Sequence, residues 1–566
     1  RNHILIIEPT TTAWMYYNPT GKNEKMMAVK TKFESFLKQL EHNQVEYDLG
    51  SENIIKDQGH IQNGKFSINK ADYDWVILPP GLENLDESTF NLLKDFAENG
   101  GKVWQIDAPI QYLNGSKKSF ADIQKNENWK ILKEVESTVF SDLAVNENIQ
   151  FENVDSIRGR VFHQRREFED GQLLFLTNFD KNETAEIKLD MPGRSVIHLN
   201  PADGKIEQYN FKRENKRVRF SAVLPPSGSC MLFISGKTGK SNAPEKPRTR
   251  TIYPSGELTV KRVTPNILNL DYVELTTGKY KNEPMYFYAA ANEIWKQHGF
   301  PDNPWASSSQ FKTELADADT FTEGTGFTVS YPFVVDENFK TQKMQLVVER
   351  PWLYQITVNG KSVTQKLEKF WLDPDFHRFE IGNFIHKGNN KITLTASRFS
   401  MYCELEPVYL LGDFSVVSQA KGWKLVNDEK IELGSWKKQG MPFYGQTVSY
   451  TKQIRVTVAE DFIITVPEWK GTVAEILIDN KHQGVIYSKP YQLKIRIPYG
   501  QHDVIVRITG SLKNTLGPHH NFTTPGIVTP ASFKTAPAVQ PAGEKYDLLD
   551  YGLMKDFEIY KLSEEI

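Results

Sequence analysis

The sequence has 566 residues, room for roughly four domains of about 150 residues each. Hydrophobic residues make up 39% and charged residues 25%, the balance of an ordinary globular chain. A formal net charge of −3, with lysines interleaved among acidic residues, excludes a global basic field for nucleic acid or an anionic membrane. No run of 18 apolar residues is present, so no membrane-spanning helix is expected.

Residues 1–137 alternate strand and helix signals. Ile4–Ile7 is a continuous apolar run, as a parallel strand buried on both faces requires. Helical spacing follows over 25–42, carried by Met27, Val29, Phe33, Phe36, Leu37 and Leu40. A second strand is expected at Trp75–Leu78, a helix over 87–98 ending at Gly100-Gly101, and a third strand at Lys102–Ile106. This alternation predicts a flavodoxin-like open α/β sheet. The chain enters its first strand at once from Arg1 and shows no signal peptide, which leads us to expect a segment before it.

From 138 to 236 the hydrophobic period becomes two. Leu173–Leu176, Glu186–Leu189 and Val218–Phe220 read as strands of a small antiparallel β-sandwich. Residues 237–254 read as a linker, and Lys246–Arg250, the longest basic stretch, falls in it. Residues 255–420 and 421–566 each give many short strands, so two jelly-roll β-sandwich domains are predicted. The first carries a helix-like, aromatic insertion at 285–305, and the second turns irregular near 517–544. Ile356–Lys361 and Ile476–Lys481 echo each other, both reading as a strand entering a tight hairpin turn. The fold class expected is therefore multidomain and mainly β, behind an α/β domain.

Catalytic motifs are sparse. No Cys stands on a strand-to-helix elbow, and there is no G-x-S-x-G, P-loop or G-x-G-x-x-G after a strand. The two cysteines, Cys230 and Cys403, sit in strand-like surroundings as free thiols, and two are too few for a disulfide framework. Asp373 with Asp375 and Glu404 with Glu406 are paired carboxylates. Turn capping, hydrogen bonding or calcium binding explains such pairs more readily than glycoside hydrolysis does. Calcium is the one metal they suggest.

Six residues stand out as substrate-binding candidates. Trp14 and Tyr16 follow the first strand at its carboxyl end, where open α/β sheets hold ligands or partner domains. Trp295 and Trp305 lie in the aromatic insertion, and His519 and His520 in the loop Gly517–Asn521.

The opening Ile7-Glu8-Pro9-Thr10-Thr11-Thr12-Ala13-Trp14-Met15-Tyr16 resembles the post-barrel domain of α-L-rhamnosidase-like enzymes of glycoside hydrolase family 106, a domain akin to the β-galactosidase trimerisation fold. Val347–Glu349, Ile356–Gly360, Trp371–Pro374 and Gly388–Ile392 are similar, in order, to the galactose-binding-like jelly roll of family 2 and family 106 glycosidases. Glu404–Phe414, Pro442–Gly445 and Leu516–His520 look like further segments of those proteins. The resemblance implies the C-terminal ancillary region of a glycoside hydrolase in polysaccharide degradation. Its catalytic carboxylates would belong to an upstream (β/α)₈ barrel, so no catalytic residue carries over to this sequence. It also implies a carbohydrate partner that includes rhamnose, and a periplasmic, cell-surface or secreted location in a Bacteroidetes-like setting. The alternatives are a non-catalytic carbohydrate-binding protein and a purely structural oligomerisation module.

Overall fold

The computed structural model describes residues 2–562, apart from 20–22, 134–139, 141–142, 144–148, 202, 242–248, 278–279, 282, 308, 341–342, 365–368 and 523–527. The expected boundary at 137/138 and most of the basic stretch at 246–250 lie outside the described residues. The chain divides into two compact units, Arg1–Lys246 with Ser488–Pro490, and Pro247–Tyr487 with Tyr491–Ile566.

The first unit opens with a parallel sheet. Its strand order is Trp129–Leu132, Lys102–Ile106, Trp75–Leu78, Ile4–Ile7, Asp48–Gly50. The winding reverses between Ile4–Ile7 and Trp75–Leu78, as in a flavodoxin-like sheet. Both faces are covered, so all four residues of Ile4–Ile7 are buried: Leu5 and Ile7 join one core cluster, Ile4 and Ile6 the other. Helix Glu24–His42 starts at Asn23, whose side chain accepts hydrogen bonds from the Lys25 and Met26 amides. Helix Glu87–Glu98 ends against Gly100 and Gly101, and a Cβ at Gly101 would stand 2.1 Å from the Phe96 ring. The sequence reading missed the two edge strands, Asp48–Gly50 and Trp129–Leu132, and the small antiparallel sheet Gly59–Gln62, Lys65–Ile68, Ala71–Tyr73. The small sheet's signal was the Asn63-Gly64 turn, with both residues at positive φ (54° and 73°).

The same unit holds the small β-sandwich. One sheet includes Ala185–Pro192 and Arg217–Leu224, and the other Val161–Phe168, Gly171–Asn178 and Ser229–Ser235. The α/β sheet and sandwich are joined by charge. Glu46 accepts from Arg165 Nε at 3.0 Å and shares a hydrogen bond with His163 Nε2 at 3.2 Å. Burial alone would raise the Glu46 pKa, but the bonds from His163 and Arg165 hold it well below the usual carboxylate range.

In the second unit the strands divide differently from the sequence expectation. One sandwich pairs Ser255–Arg262 with Thr447–Val456, followed by Gly500–Thr509, Val473–Ile478 and Lys481–Ile486. Its other sheet runs Thr249–Ile252, Glu558–Leu562, Glu460–Thr465, Gln492–Ile497. The jelly roll lies between these segments in sequence. One of its sheets is Asn266–Leu270, Val408–Gly412, Met344–Glu349, Asp373–Glu380, Phe370–Trp371. The facing sheet includes Tyr272–Thr277, Phe327–Val335, Gly388–Ala396 and Gln355–Val358, with Phe414–Ser418 and Trp423–Asn427 attached. Residues 249–262, expected to close a linker and open the jelly roll, thus belong to the last sandwich. Residues 423–427, expected in that last sandwich, belong to the jelly roll. A strand's own alternation shows that it has a buried face, not which distant strand it pairs with.

The two echoing segments do form the same device. Asn359-Gly360 and Asp479-Asn480 sit at positive φ in two-residue turns closing antiparallel hairpins. The aromatic insertion becomes helix Phe287–Gln297, which buries Ala290, Ala291, Ile294 and Trp295.

Candidate functional site

The jelly roll gathers its charged and aromatic side chains at one end of strand Met344–Glu349. Arg350, the next residue, takes a left-handed conformation (φ 43°), and Pro351–Leu353 then forms a 3-10 turn. A bulky residue at positive φ is unusual and needs anchoring. The anchor is Asp375: its carbonyl accepts from the Arg350 amide at 2.9 Å, and its carboxylate accepts from Arg350 Nε at 3.2 Å. On the other side Arg350 Nη1 donates to Glu404 Oε1 at 2.7 Å and to the Tyr402 carbonyl at 3.4 Å. One guanidinium thus ties strand Asp373–Glu380 to the loop after Gly388–Ala396. Asp373 supports this by accepting the Asp375 amide at 2.9 Å.

Aromatic rings surround this bridge. The Arg350 guanidinium lies 5.6 Å from the centre of the Trp305 ring. Trp305 is fixed by its indole N–H, which donates to the Met401 carbonyl at 2.7 Å, and its ring lies 6.1 Å from Tyr402. Trp352, two residues after Arg350, is 49% exposed with its ring 5.8 Å from that of His377, and Tyr402 is 42% exposed. Such faces would meet the C–H faces of a sugar ring, while carboxylates and a guanidinium beside them bond its hydroxyls.

Behind Arg350 the charge is tuned. Burial, then repulsion from Glu404, pushes the Glu349 pKa up to about 7 against the attraction of Arg350. Burial also raises Glu404, again opposed by Arg350. Glu406 is raised well above the usual carboxylate range, by burial and then by Glu349 and Glu404. These three carboxyl groups line a small cavity together with Tyr331 and Tyr354. At neutral pH, Glu349 can therefore donate or accept a proton.

Of the six candidate residues, Trp305 alone stands in this cluster. Trp295 is fully buried, its ring 4.9 Å from Phe399 and 5.4 Å from Phe300, so it presents no face to a ligand. His519 and His520 are core residues, not loop ligands. His519 Nε2 donates to the Asn514 carbonyl at 2.8 Å, and burial lowers its pKa to about 4. His520 Nε2 donates to Asp271 Oδ2 at 2.8 Å, and Tyr546 donates its hydroxyl to Asp271 Oδ1 at 2.9 Å. In the first unit, Trp14 is 61% exposed, whereas Tyr16 donates its hydroxyl to Glu83 and lies under the Lys25 ammonium.

The paired carboxylates act across the pairs: Arg350 joins Asp375 of one to Glu404 of the other. Sequence reading missed Arg350, Glu349, Trp352 and Tyr402. Its available signal was an Arg-Pro-Trp triplet directly after an apolar strand. Among the described residues, no group of three or more His, Cys, Asp or Glu side chains is arranged to hold a metal ion, so the expected calcium finds no such cluster. Both thiols are raised to about 11 by burial, which leaves them protonated at neutral pH. Among the described residues, no helix is long and apolar enough to cross a membrane.

No protein-family model matches the chain, and no curated protein does. Solved structures do. A rhamnosidase from Novosphingobium sp. PP1Y aligns at 12% identity and TM-score 0.30, over 64% of this chain and 36% of that one. An apo exo-carrageenase of family 42 from Bacteroides ovatus aligns at 13% identity and TM-score 0.27, over 42% of this chain and 29% of that one. A family 2 glycosyl hydrolase from Bacteroides cellulosilyticus DSM 14838 aligns at 9% identity and TM-score 0.18, over 44% and 32%. The chain spans about a third of the length of these proteins.

Proposed function

We propose that this chain is the ancillary, carbohydrate-engaging region of a glycoside hydrolase in polysaccharide degradation, and that its jelly roll holds sugar at the Arg350 cluster. The observation that carries this reading is a guanidinium bridged between two carboxylates, with the Trp305 ring 5.6 Å from it and the exposed Tyr402 ring 6.1 Å from Trp305. That set pairs stacking faces with hydroxyl-bonding groups, which is what a pyranose needs. In the same proposal the hydrolytic carboxylates belong to a barrel elsewhere in the protein. The preferred glycans contain rhamnose, and the protein works in the periplasm or at the cell surface.

Affinity electrophoresis in gels cast with plant and algal polysaccharides tests the reading. The chain should be retarded by at least one rhamnose-containing polymer, and Trp352→Ala should run freely in it. Equal migration of both proteins in every gel would sink the proposal.

A further inference from the structure

Resting on the saccharide reading above, we propose that the Arg350 site selects uncharged sugars and rejects those carrying carboxylate or sulfate. The guanidinium is already committed. Its Nε and Nη1 bind Asp375 and Glu404, so its positive charge is balanced before any ligand arrives. Asp373, which accepts the Asp375 amide, adds a third carboxylate beside one guanidinium.

Among the described residues, no ion pair brings a further Lys or Arg to Asp375 or Glu404. Arg378 stands opposite Val347, two residues further along strand Asp373–Glu380 than Phe376, or roughly 7 Å. It is joined to Lys369 by a backbone bond of 3.1 Å, and among the described ion pairs neither residue engages these carboxylates.

Hydrogen-bonding capacity points the same way. Ionised carboxylates only accept, so this wall calls for ligand groups that donate. Sugar hydroxyls donate, whereas a uronate or sulfate ester brings acceptors and a like charge. Asp375 is only partly buried and Asp373 is exposed, so water screens both in part. Discrimination should therefore grow as salt is lowered. The Trp305 and Tyr402 rings carry no charge and accept either class, which leaves the carboxylates to set the preference.

The test uses the full chain in isothermal titration at pH 7.5 and low salt. Its probes are oligosaccharides in matched acidic and neutralised forms: rhamnose–galacturonate backbone and its carboxyl-reduced counterpart, sulfated galactan and its desulfated counterpart, glucuronoxylan and xylan. At least one neutral form should bind tenfold or more tighter than its acidic partner. Glu404→Gln, which leaves Arg350 bound to Asp375, should shrink that ratio below threefold, and Asp373→Asn at the exposed rim should shrink it by a smaller factor. Acidic forms binding as tightly as neutral ones would overturn the charge preference and leave the saccharide reading standing. Silence across the whole panel would overturn both.

Discussion

Two polar clusters of the second unit use similar chemistry to opposite ends. Around Asp271, a carboxylate, an imidazole and a phenol are sealed in the core, with side-chain exposure of 2% for Asp271 and 0% for His520. Around Arg350, a guanidinium and two carboxylates are equally well paired, but exposed rings and a solvent-facing rim surround them. The first cluster spends its hydrogen bonds on the fold: His520 and Tyr546 reach Asp271 across 249 and 275 residues of sequence. The second stands open to solvent, with Tyr402 and the Asp375 side chain each 42% exposed. A distinctive polar motif is therefore no guide to a site until its burial is known.

The largest effect should come from the buried side. Trp295→Ala removes a fully buried ring from between Phe300 and Phe399 and should cost about 3–5 kcal/mol in chemical denaturation of the second unit. Trp352→Ala should change stability by less than about 0.5 kcal/mol while abolishing glycan binding. A reversed ranking would break the distinction between core and site. Asp271→Ala comes next. It leaves the His520 and Tyr546 donors unpaired in the core, at about 1–3 kcal/mol for each, and should leave glycan binding by the folded protein intact.

Glu349, next to Arg350, and His519, next to His520, answer pH with opposite signs. Glu349 keeps its proton in the native state up to about 7, while the unfolded chain releases it near 4.5. Between these values the native state binds more protons, so this contribution is full below 4.5 and is lost as pH rises toward 7. His519 does the reverse. The unfolded chain takes up a proton near 6.5 and the native state only near 4, so its contribution is full above 6.5 and is lost as pH falls. From pH 4.5 to 6.5 the two oppose each other. Relative to the parent protein, Glu349→Gln should make stability rise more steeply with pH in that window, and His519→Gln should make it fall. Each change should amount to about 2 kcal/mol, followed by denaturant titration at several pH values. Parallel profiles for all three proteins would remove the proposed tuning.

The α/β sheet was the most legible part of the fold. Its central strands are short and rich in apolar residues because both faces are covered, so Ile4–Ile7, Trp75–Leu78 and Lys102–Ile106 could be read from the residues themselves. The matched hairpins at Asn359-Gly360 and Asp479-Asn480 were legible for a similar reason, since a two-residue turn is a local event. Domain membership in the second unit was not. Ser255–Arg262 looks like any strand, yet its partner Thr447–Val456 lies nearly 200 residues away. The site was half legible: its carboxylate pairs and Trp305 could be singled out, but not Arg350, which joins them.

The sequence by itself determined where the chain turns, which stretches bury an apolar face, and that the molecule is mainly β behind an α/β sheet. These follow from hydrophobic period and turn chemistry, which act over a few residues. Only the tertiary structure decided that Trp295 and the His519-His520 pair are core, and that Arg350, Trp305, Asp375 and Glu404 converge. Those outcomes depend on strand pairing and burial over tens to hundreds of residues, which the local pattern leaves open.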